Sequence, residues 1–292
     1  MKTPPCPMSN RRRPDNPYRP KPGDYEVNRT LLQVIPQPTL TERQAIVASL
    51  APARLRPYRQ AVAGGGDGRA VELYLLDAQI ASHLHATFRA AEVVIREAVH
   101  RGLAAVYTDR WFNNHNGMLD ERSLGEIAKA RTELARAGSR SPSPGQIVAQ
   151  LMFGTWTNLF DRGGTRADGT RADYADDLWL PALSNEFTQG SPTQQQVHAL
   201  TKRLNWARNR INHCESVVFG FPQPGQRTRS SQQIRRSPAL LLQDTRDLVG
   251  YTDPAIQTWL TKWTDVDQLI ADPLAQEAIA YTRTRPGITV QS

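Results

Sequence analysis

The spacing of apolar side chains along the chain predicts a series of α-helices. From about residue 69 to 101, apolar residues recur every three or four positions, as on one face of a long helix. These residues are Leu73, Leu76, Ile80, Leu84, Phe88, Ala91, Ile95 and Ala98. Gly102 comes next, and because glycine is favoured just past a helix C-terminus, we expect the helix to end there. Comparable patterns predict helices at 121–137, 144–160 and about 192–218.

Weaker signals complete the predicted fold. Thr39 and Thr41 are candidate N-cap residues for a first helix. The polar segment 162–173 is predicted to be a loop, followed by a short helix. Two or three further short helices are expected near 238–249, 253–262 and 272–282. Strict alternation of polar and apolar residues persists nowhere, so the predicted fold class is all-α.

These patterns divide the chain into four segments. Residues 1–38 are rich in Pro and Arg and lack apolar periodicity, which predicts a disordered basic tail. A helical domain is expected over 39–219. The Gly-, Pro-, Gln- and Arg-rich segment 220–237 is predicted to be a mobile loop, and 238–285 is predicted to hold short helices packed on the helical bundle.

Composition excludes several classes of protein. The net charge is +8, and residues 1–22 carry +5 of it, so most of the excess lies in the tail. A mean hydropathy of −0.53 and the lack of a run of about 18 apolar residues argue against a membrane-spanning helix. Two cysteines, Cys6 and Cys214, are too few for a disulfide framework or a four-cysteine zinc site. No apolar stretch typical of a secretory signal follows the basic start, so we expect a cytoplasmic protein without a membrane partner.

The helix predicted at 192–218 has two contrasting faces. At about 100° per residue, one face is apolar and is expected in the core. It carries Val197, Leu200, Leu204, Ala207, Ile211, Cys214 and Val218, which makes Cys214 a small buried residue. The opposite face carries His198, Lys202, Trp206, Asn209 and His213. This composition suits a contact surface or a site, and equally a face that a second layer of the fold covers.

Arg208, Asn209 and His213 on this helix are the candidate catalytic residues. An imidazole can take a proton from a ribose 2′-hydroxyl or give one to the leaving 5′-oxygen. A guanidinium can bind the phosphate, so RNA cleavage here needs no metal and no cofactor. Arg208 and His213 point about 140° apart on one helix. Either the long arginine side chain wraps round, or a second copy of the helix supplies the missing group.

The string Arg208-Asn209-Arg210-Ile211-Asn212-His213, followed by Cys214-Glu215, resembles the R-x4–6-H motif of the HEPN superfamily. Its form is similar to the R-N-R-h-x-H-x-E of the Abi-like abortive-infection proteins. Glu92-Val93-Val94-Ile95-Arg96-Glu97 resembles the E-V-x-x-R-N segment of this group, with Glu97 in place of the Asn. The similarity spans roughly residues 45–220.

The resemblance implies a HEPN-type helical bundle, here with extra short C-terminal helices, and a homodimer with the motif helix at the interface. It also implies an endoribonuclease toxin that cleaves cellular RNA, such as tRNA, in phage defence. The implied products are a 2′,3′-cyclic phosphate and a 5′-hydroxyl. An antitoxin or a phage trigger is a further partner that the resemblance implies.

Four more residues are candidates for support or RNA binding. Glu92 and Arg96 either form an ion pair within one helix or bring Arg96 to the Arg208 site. Glu215 is a candidate for orienting His213 or Arg208, and Arg210 for contacting RNA. Two other functions stay open at this point: a catalytically silent HEPN module for RNA binding or dimerisation, and a structural protein that binds nucleic acid through its basic tail.

Overall fold

The computed structural model describes residues 38–62, 64, 66–223 and 233–292. The tail predicted at 1–38 therefore lies outside the described residues except for Pro38, as does the middle of the loop predicted at 220–237. The described chain is mostly helical, which confirms the predicted class at that level. Its helices are α1 Leu40–Ser49, α2 Pro52–Ala61, α3 Gly66–Tyr107, α4 Glu121–Arg136, α5 Pro144–Gln150, α6 Phe153–Asn158, α7 Gln194–Asn212, α8 Pro238–Gly250, α9 Pro254–Trp263, α10 Val266–Ala271 and α11 Pro273–Thr284.

Polar side chains start several helices where the sequence places them. Thr39, not Thr41, is the N-cap of α1: its hydroxyl accepts from the Glu42 N–H, and the Glu42 carboxylate accepts from the Thr39 N–H at 2.7 Å. Ser143 and Thr193 form the same reciprocal cap at α5 and α7. The starts of these helices are thus fixed by local hydrogen bonds that the sequence encodes.

α3 is the central helix of the fold. Its apolar stripe is buried as predicted except for Leu76, which is half-buried, and α2, α7, α8 and α10 pack around the helix. The helix does not end at Gly102 but continues to Tyr107. A Cβ at position 102 would lie 3.0 Å from the Ala182 carbonyl oxygen. The glycine therefore allows close packing of the segment around Ala182 against α3, and does not terminate the helix.

Two other predicted helices also have different boundaries in the structure. The helix predicted at 144–160 is interrupted, because Leu151 and Met152 adopt extended backbone between α5 and α6. The helix predicted at 192–218 ends at Asn212, because Cys214 adopts a left-handed conformation with φ of 54°. Cys214 is consequently exposed, so its predicted burial is wrong.

A small sheet corrects the expectation that the chain has no strands. β1 Phe221–Pro222 pairs antiparallel with β2 Gln233–Arg236, which pairs in parallel with β3 Ile288–Gln291. The register places Phe221 opposite Arg236. Both ends of the segment predicted to be a mobile loop thus form strands. Strands of two to four residues are too short to show an alternating pattern, and the β2–β3 pairing joins distant parts of the chain.

The helices after β2 share one hydrophobic core with the earlier ones. Leu241 and Leu248 of α8 belong to the same buried cluster as Leu84 of α3 and Leu204 of α7. Arg203 of α7 donates to the Asp244 carboxylate at 2.9 Å and so links α7 to α8. α7 is therefore held from one side by α3 and from another by α8. Among the described helices, none has a stretch both apolar and long enough to cross a membrane.

Candidate functional site

A buried carboxylate of α3 holds the segment that follows α7. Asp77 accepts hydrogen bonds from the Tyr58 hydroxyl at 2.6 Å and from the Val217 and Val218 N–H groups at 2.9 and 2.7 Å. Burial raises the pKa of Asp77, and these donors oppose that rise. The contacts fix the turn that follows α7, and with it the position of the motif residues.

Arg208 forms a second link between α7 and α3. Its Nε lies 2.9 Å from Glu92 Oε2, and the two side chains are only 23% and 17% exposed. The Nε–H has no aligned hydrogen-bond partner, so charge attraction rather than a directed hydrogen bond holds the pair. The guanidinium is half-buried, and within the described part of the chain its Nη atoms donate no hydrogen bond.

Asn209 and His213 lie on a different side of α7. Both are exposed, and His213 is the C-cap, its N–H bonded to the Asn209 carbonyl at 3.0 Å. On the helix, Asn209 is turned about 100° and His213 about 140° from Arg208. Within a single chain, the geometry of α7 therefore does not direct these three candidate catalytic side chains at one point.

The face that carries Asn209 and His213 is open. Lys202 and Trp206 on this face are exposed as well, Trp206 to 41%. His198 is half-buried, where α7 borders an open cleft of about 960 Å³ that is also lined by Arg162 and Arg171. Burial lowers the pKa of His198. No second layer of the described chain covers Lys202, Trp206, Asn209 or His213.

The four residues predicted to support the site or to bind RNA form different ion pairs from those that the sequence suggested. Glu92 pairs with Arg208 and not with Arg96, whose Nε donates to Glu97 Oε1 at 3.2 Å. Glu97, which replaces the Asn of the family pattern, thus holds Arg96 locally. Arg210 forms an ion pair with Glu215, so this carboxylate contacts neither His213 nor Arg208 in the described contacts.

His85 is a site residue that the sequence analysis missed. It lies on α3, seven residues before Glu92, and is half-buried. Burial lowers its pKa, the positive charges of Arg208 and Arg89 lower it further, and Glu92 opposes this. His85 is therefore close enough to Arg208 for their charges to interact. The spacing of two helical turns to Glu92 is the signal in the sequence that could have identified it.

Neighbouring histidines have different surroundings. His83 lies on another side of α3 from His85, and its buried Nδ1 has no hydrogen-bond partner. Burial lowers the pKa of His100, whose Nδ1 accepts from the Trp111 indole at 3.0 Å.

No group of three His, Cys, Asp or Glu side chains among the described residues is arranged to hold a metal ion.

Comparison with known proteins finds no relative of this chain. No protein-family model, curated protein or solved structure matches this chain. The resemblance to the HEPN superfamily therefore rests on the residues of the motif segments alone.

Proposed function

We propose that this protein is a metal-independent endoribonuclease of the HEPN type that cleaves cellular RNA in defence against phage. The observation that carries the proposal is the placement of the motif. Arg208 is held half-buried beside Glu92 at 2.9 Å, while Asn209 and His213 lie on a face of α7 that no described element covers. Tertiary contacts thus restrain the cation, and the imidazole is open to a substrate.

The reaction uses groups that this chain supplies. The ribose 2′-oxygen attacks the adjacent phosphorus, the bond from phosphorus to the 5′-oxygen breaks, and a 2′,3′-cyclic phosphate and a 5′-hydroxyl result. His213 moves one of the two protons involved, between the 2′-hydroxyl and the leaving 5′-oxygen. The Arg208 guanidinium stabilises the charge on the phosphate oxygens, and the Asn209 amide binds the phosphate or orients the imidazole.

A second copy of the chain completes the site in this proposal. Because His213 is turned about 140° from Arg208 on α7, one helix does not direct both at the same phosphate. The open face with Trp206 at its centre is a surface on which two copies can pair about a two-fold axis. Pairing there brings the two motif helices together, and each active centre then needs an Arg208 side chain that reaches round α7 toward this face.

The test is cleavage of total RNA and of a tRNA pool in EDTA by wild-type, Arg208→Ala and His213→Ala protein, with mapping of the new RNA ends. We expect cyclic phosphates from the wild type only, and a loss of about 10²- to 10⁴-fold in rate for His213→Ala, the range of general acid–base catalysis. Circular dichroism and thermal melting show whether each variant is folded. Cleavage at the wild-type rate by pure, folded His213→Ala protein would contradict the proposal.

The same 140° divergence favours one other candidate, a HEPN module that binds RNA or dimerises without catalysis. Such a protein is expected to be tolerated on expression, to bind RNA in a filter or fluorescence assay, and to leave it intact. Growth arrest on expression of the wild type, relieved by His213→Ala, would favour the nuclease instead.

A further inference from the structure

The open cleft beside the start of α7 has a wall that is built from a repeated sequence. We call it the α7 cleft and define it by Arg162, Arg171, Gln195 and His198. Gly-Thr-Arg-Ala-Asp occurs twice in succession over residues 164–173. The two copies fold back on each other, with Thr165 paired antiparallel to Arg171. The Glu121 N–H of α4 donates to the Thr165 carbonyl at 2.9 Å, so the rest of the fold holds this wall in place.

The two arginines of the repeat have different surroundings. Arg166 forms an ion pair with Asp177 and donates to the Arg171 carbonyl at 2.8 Å, so the loop itself uses this cation. Arg171 is exposed, and its side chain makes one hydrogen bond in the described chain, of 3.4 Å to the Gly163 carbonyl. Arg162 on the same wall is exposed and has neither an ion pair nor a side-chain hydrogen bond with a described residue. Two guanidinium groups at the cleft are therefore available to a ligand.

The opposite wall belongs to the polar face of α7. Gln195 and His198 line the cleft, and their side chains form no hydrogen bond with any described residue. Gln195 lies 18 residues before His213, which is five helical turns, so both side chains leave α7 in the same direction. Gln194 Nε2 donates to the Asp161 carbonyl at 2.7 Å and ties the start of α7 to the loop. The cleft thus shares one face of α7 with the motif imidazole.

The groups that line the cleft match the chemistry of a nucleotide. Asp161 is already paired with Arg122 at 2.8 Å, whereas Asp173 is exposed and forms no ion pair with a described residue. The lining therefore offers two arginines and one unpaired carboxylate. Guanidinium groups bind phosphate, while a carboxylate and an amide match the hydroxyl and amino groups of a sugar and a base. The volume of about 960 Å³ is that of a small-molecule site.

We propose that the α7 cleft binds one nucleotide of the RNA substrate, remote from the phosphate that is cleaved. Arg162 and Arg171 hold its phosphate, and Asp173 and Gln195 form hydrogen bonds with its ribose and base. The inference rests on the proposed ribonuclease function and adds a second contact with the substrate of that site.

The place of the cleft on α7 predicts how much RNA is needed to reach it. His198 lies about 22 Å along α7 from residue 213 and about 12 Å from Trp206. The first distance equals about six stacked nucleotides, so only longer oligonucleotides should contact both the cleft and the motif. The second distance places the cleft toward the end of the face that is proposed to pair, away from its centre.

The test is binding of a 2′-O-methyl RNA dodecamer, which lacks the nucleophile and is not cleaved. The full-length double variant Arg162→Ala, Arg171→Ala should bind it about 10-fold more weakly than the wild type. The slope of log affinity against log salt should fall by about 0.7, the value for one phosphate contact on a single strand. The matched control is Arg283→Ala with Arg285→Ala at the end of α11. These arginines are exposed and unpaired in the described chain, so affinity should not change.

Gln195→Glu is a second variant that does not depend on the loop. It adds a negative charge to the cleft within the first turn of α7, where an acidic side chain favours the helix, so the melting temperature should not fall. We expect several-fold weaker binding of the dodecamer at low salt, because the new charge repels the phosphate. Gln268→Glu on the exposed side of α10 adds the same charge elsewhere and should leave binding unchanged.

Wild-type affinity in both folded cleft variants would overturn the inference and leave the proposed function to the cleavage test of His213→Ala. The same holds if wild-type protein binds no dodecamer, or binds nucleoside monophosphates as tightly as the dodecamer, since the cleft would then take a free nucleotide. With cleavable RNA, the cleft variants should raise KM and leave kcat unchanged. If binding depends on Arg162 and Arg171 but the wild type cleaves no RNA, the cleft is an RNA site and the proposed nuclease fails.

Discussion

Two carboxylates of α3, Asp77 and Glu92, both reach toward α7, but their surroundings differ. Asp77 is 5% exposed and accepts from three donors on two other segments. Glu92 is partly exposed and contacts one cation, whose remaining donors are unused among the described residues. A carboxylate whose hydrogen-bonding capacity the fold uses up supports structure. One that holds a cation with free donors can present that cation to a ligand.

The largest effect is expected from removing the first carboxylate. Asp77→Ala leaves the Tyr58 hydroxyl and two backbone N–H groups buried without partners, which costs about 3 kcal/mol or more of unfolding free energy. Urea denaturation of the full chain measures it. Asp77→Asn is the control, since its amide can accept from the N–H groups and donate to Tyr58, and it should recover most of the loss. An Asp77→Ala protein as stable as the wild type would contradict the structural role of this carboxylate.

A smaller and different effect is expected at the second carboxylate. Glu92→Gln should change the unfolding free energy by less than about 1 kcal/mol, because the pair is partly solvated. It should nevertheless lower RNA cleavage about 10-fold, because Arg208 loses the charge that positions it. Glu97→Gln, which breaks the neighbouring ion pair with Arg96, is the matched control and should leave cleavage unchanged. Equal losses from both variants would contradict a specific role for Glu92.

The smallest expected effect is the dependence of stability on pH at Asp77. Burial raises the pKa of Asp77 above its ordinary 3.8, so the folded state disfavours the charged form. The stability that this shift contributes is present below pH 3.8 and is lost as the pH rises through the raised pKa. The difference in unfolding free energy between the wild type and Asp77→Asn should therefore move in favour of the variant as the pH rises from about 3 to about 7. A difference that stays constant or moves the other way contradicts this assignment.

The starts of helices and the core stripe could be predicted from the sequence because local rules decide them. Thr39, Ser143 and Thr193 cap helices through hydrogen bonds to residues three positions away. The ends were harder to predict. Gly102 has the residue type of a helix stop, yet it is buried inside α3 because another segment packs on it. The three-stranded sheet was missed because its central strand pairs with residues at the far end of the chain.

The candidate site likewise combines features that the sequence predicted with features that only the fold decides. The motif Arg208–His213 and the contrast between the two faces of α7 follow from spacing on one helix. The partner of Glu92 does not follow from spacing, which favoured Arg96 on the same helix. The fold instead supplies Arg208 from another helix. His85 was missed, because nothing local shows which helix will pack against the part of α3 that carries it.

Local patterns in the sequence predicted the helical class, a capped start for α1 and an α7 with one apolar and one polar, aromatic face. Periodicity and capping act within about one or two helical turns, so they can be recognised in the sequence before the fold is known. The tertiary structure alone decided the antiparallel contact of α3 with α7, and through it the ion pair of Arg208 with Glu92 and the approach of His85. Long-range packing makes these contacts, since burying the stripes of both helices fixes their mutual direction and so selects which polar side chains meet at the edge of the core.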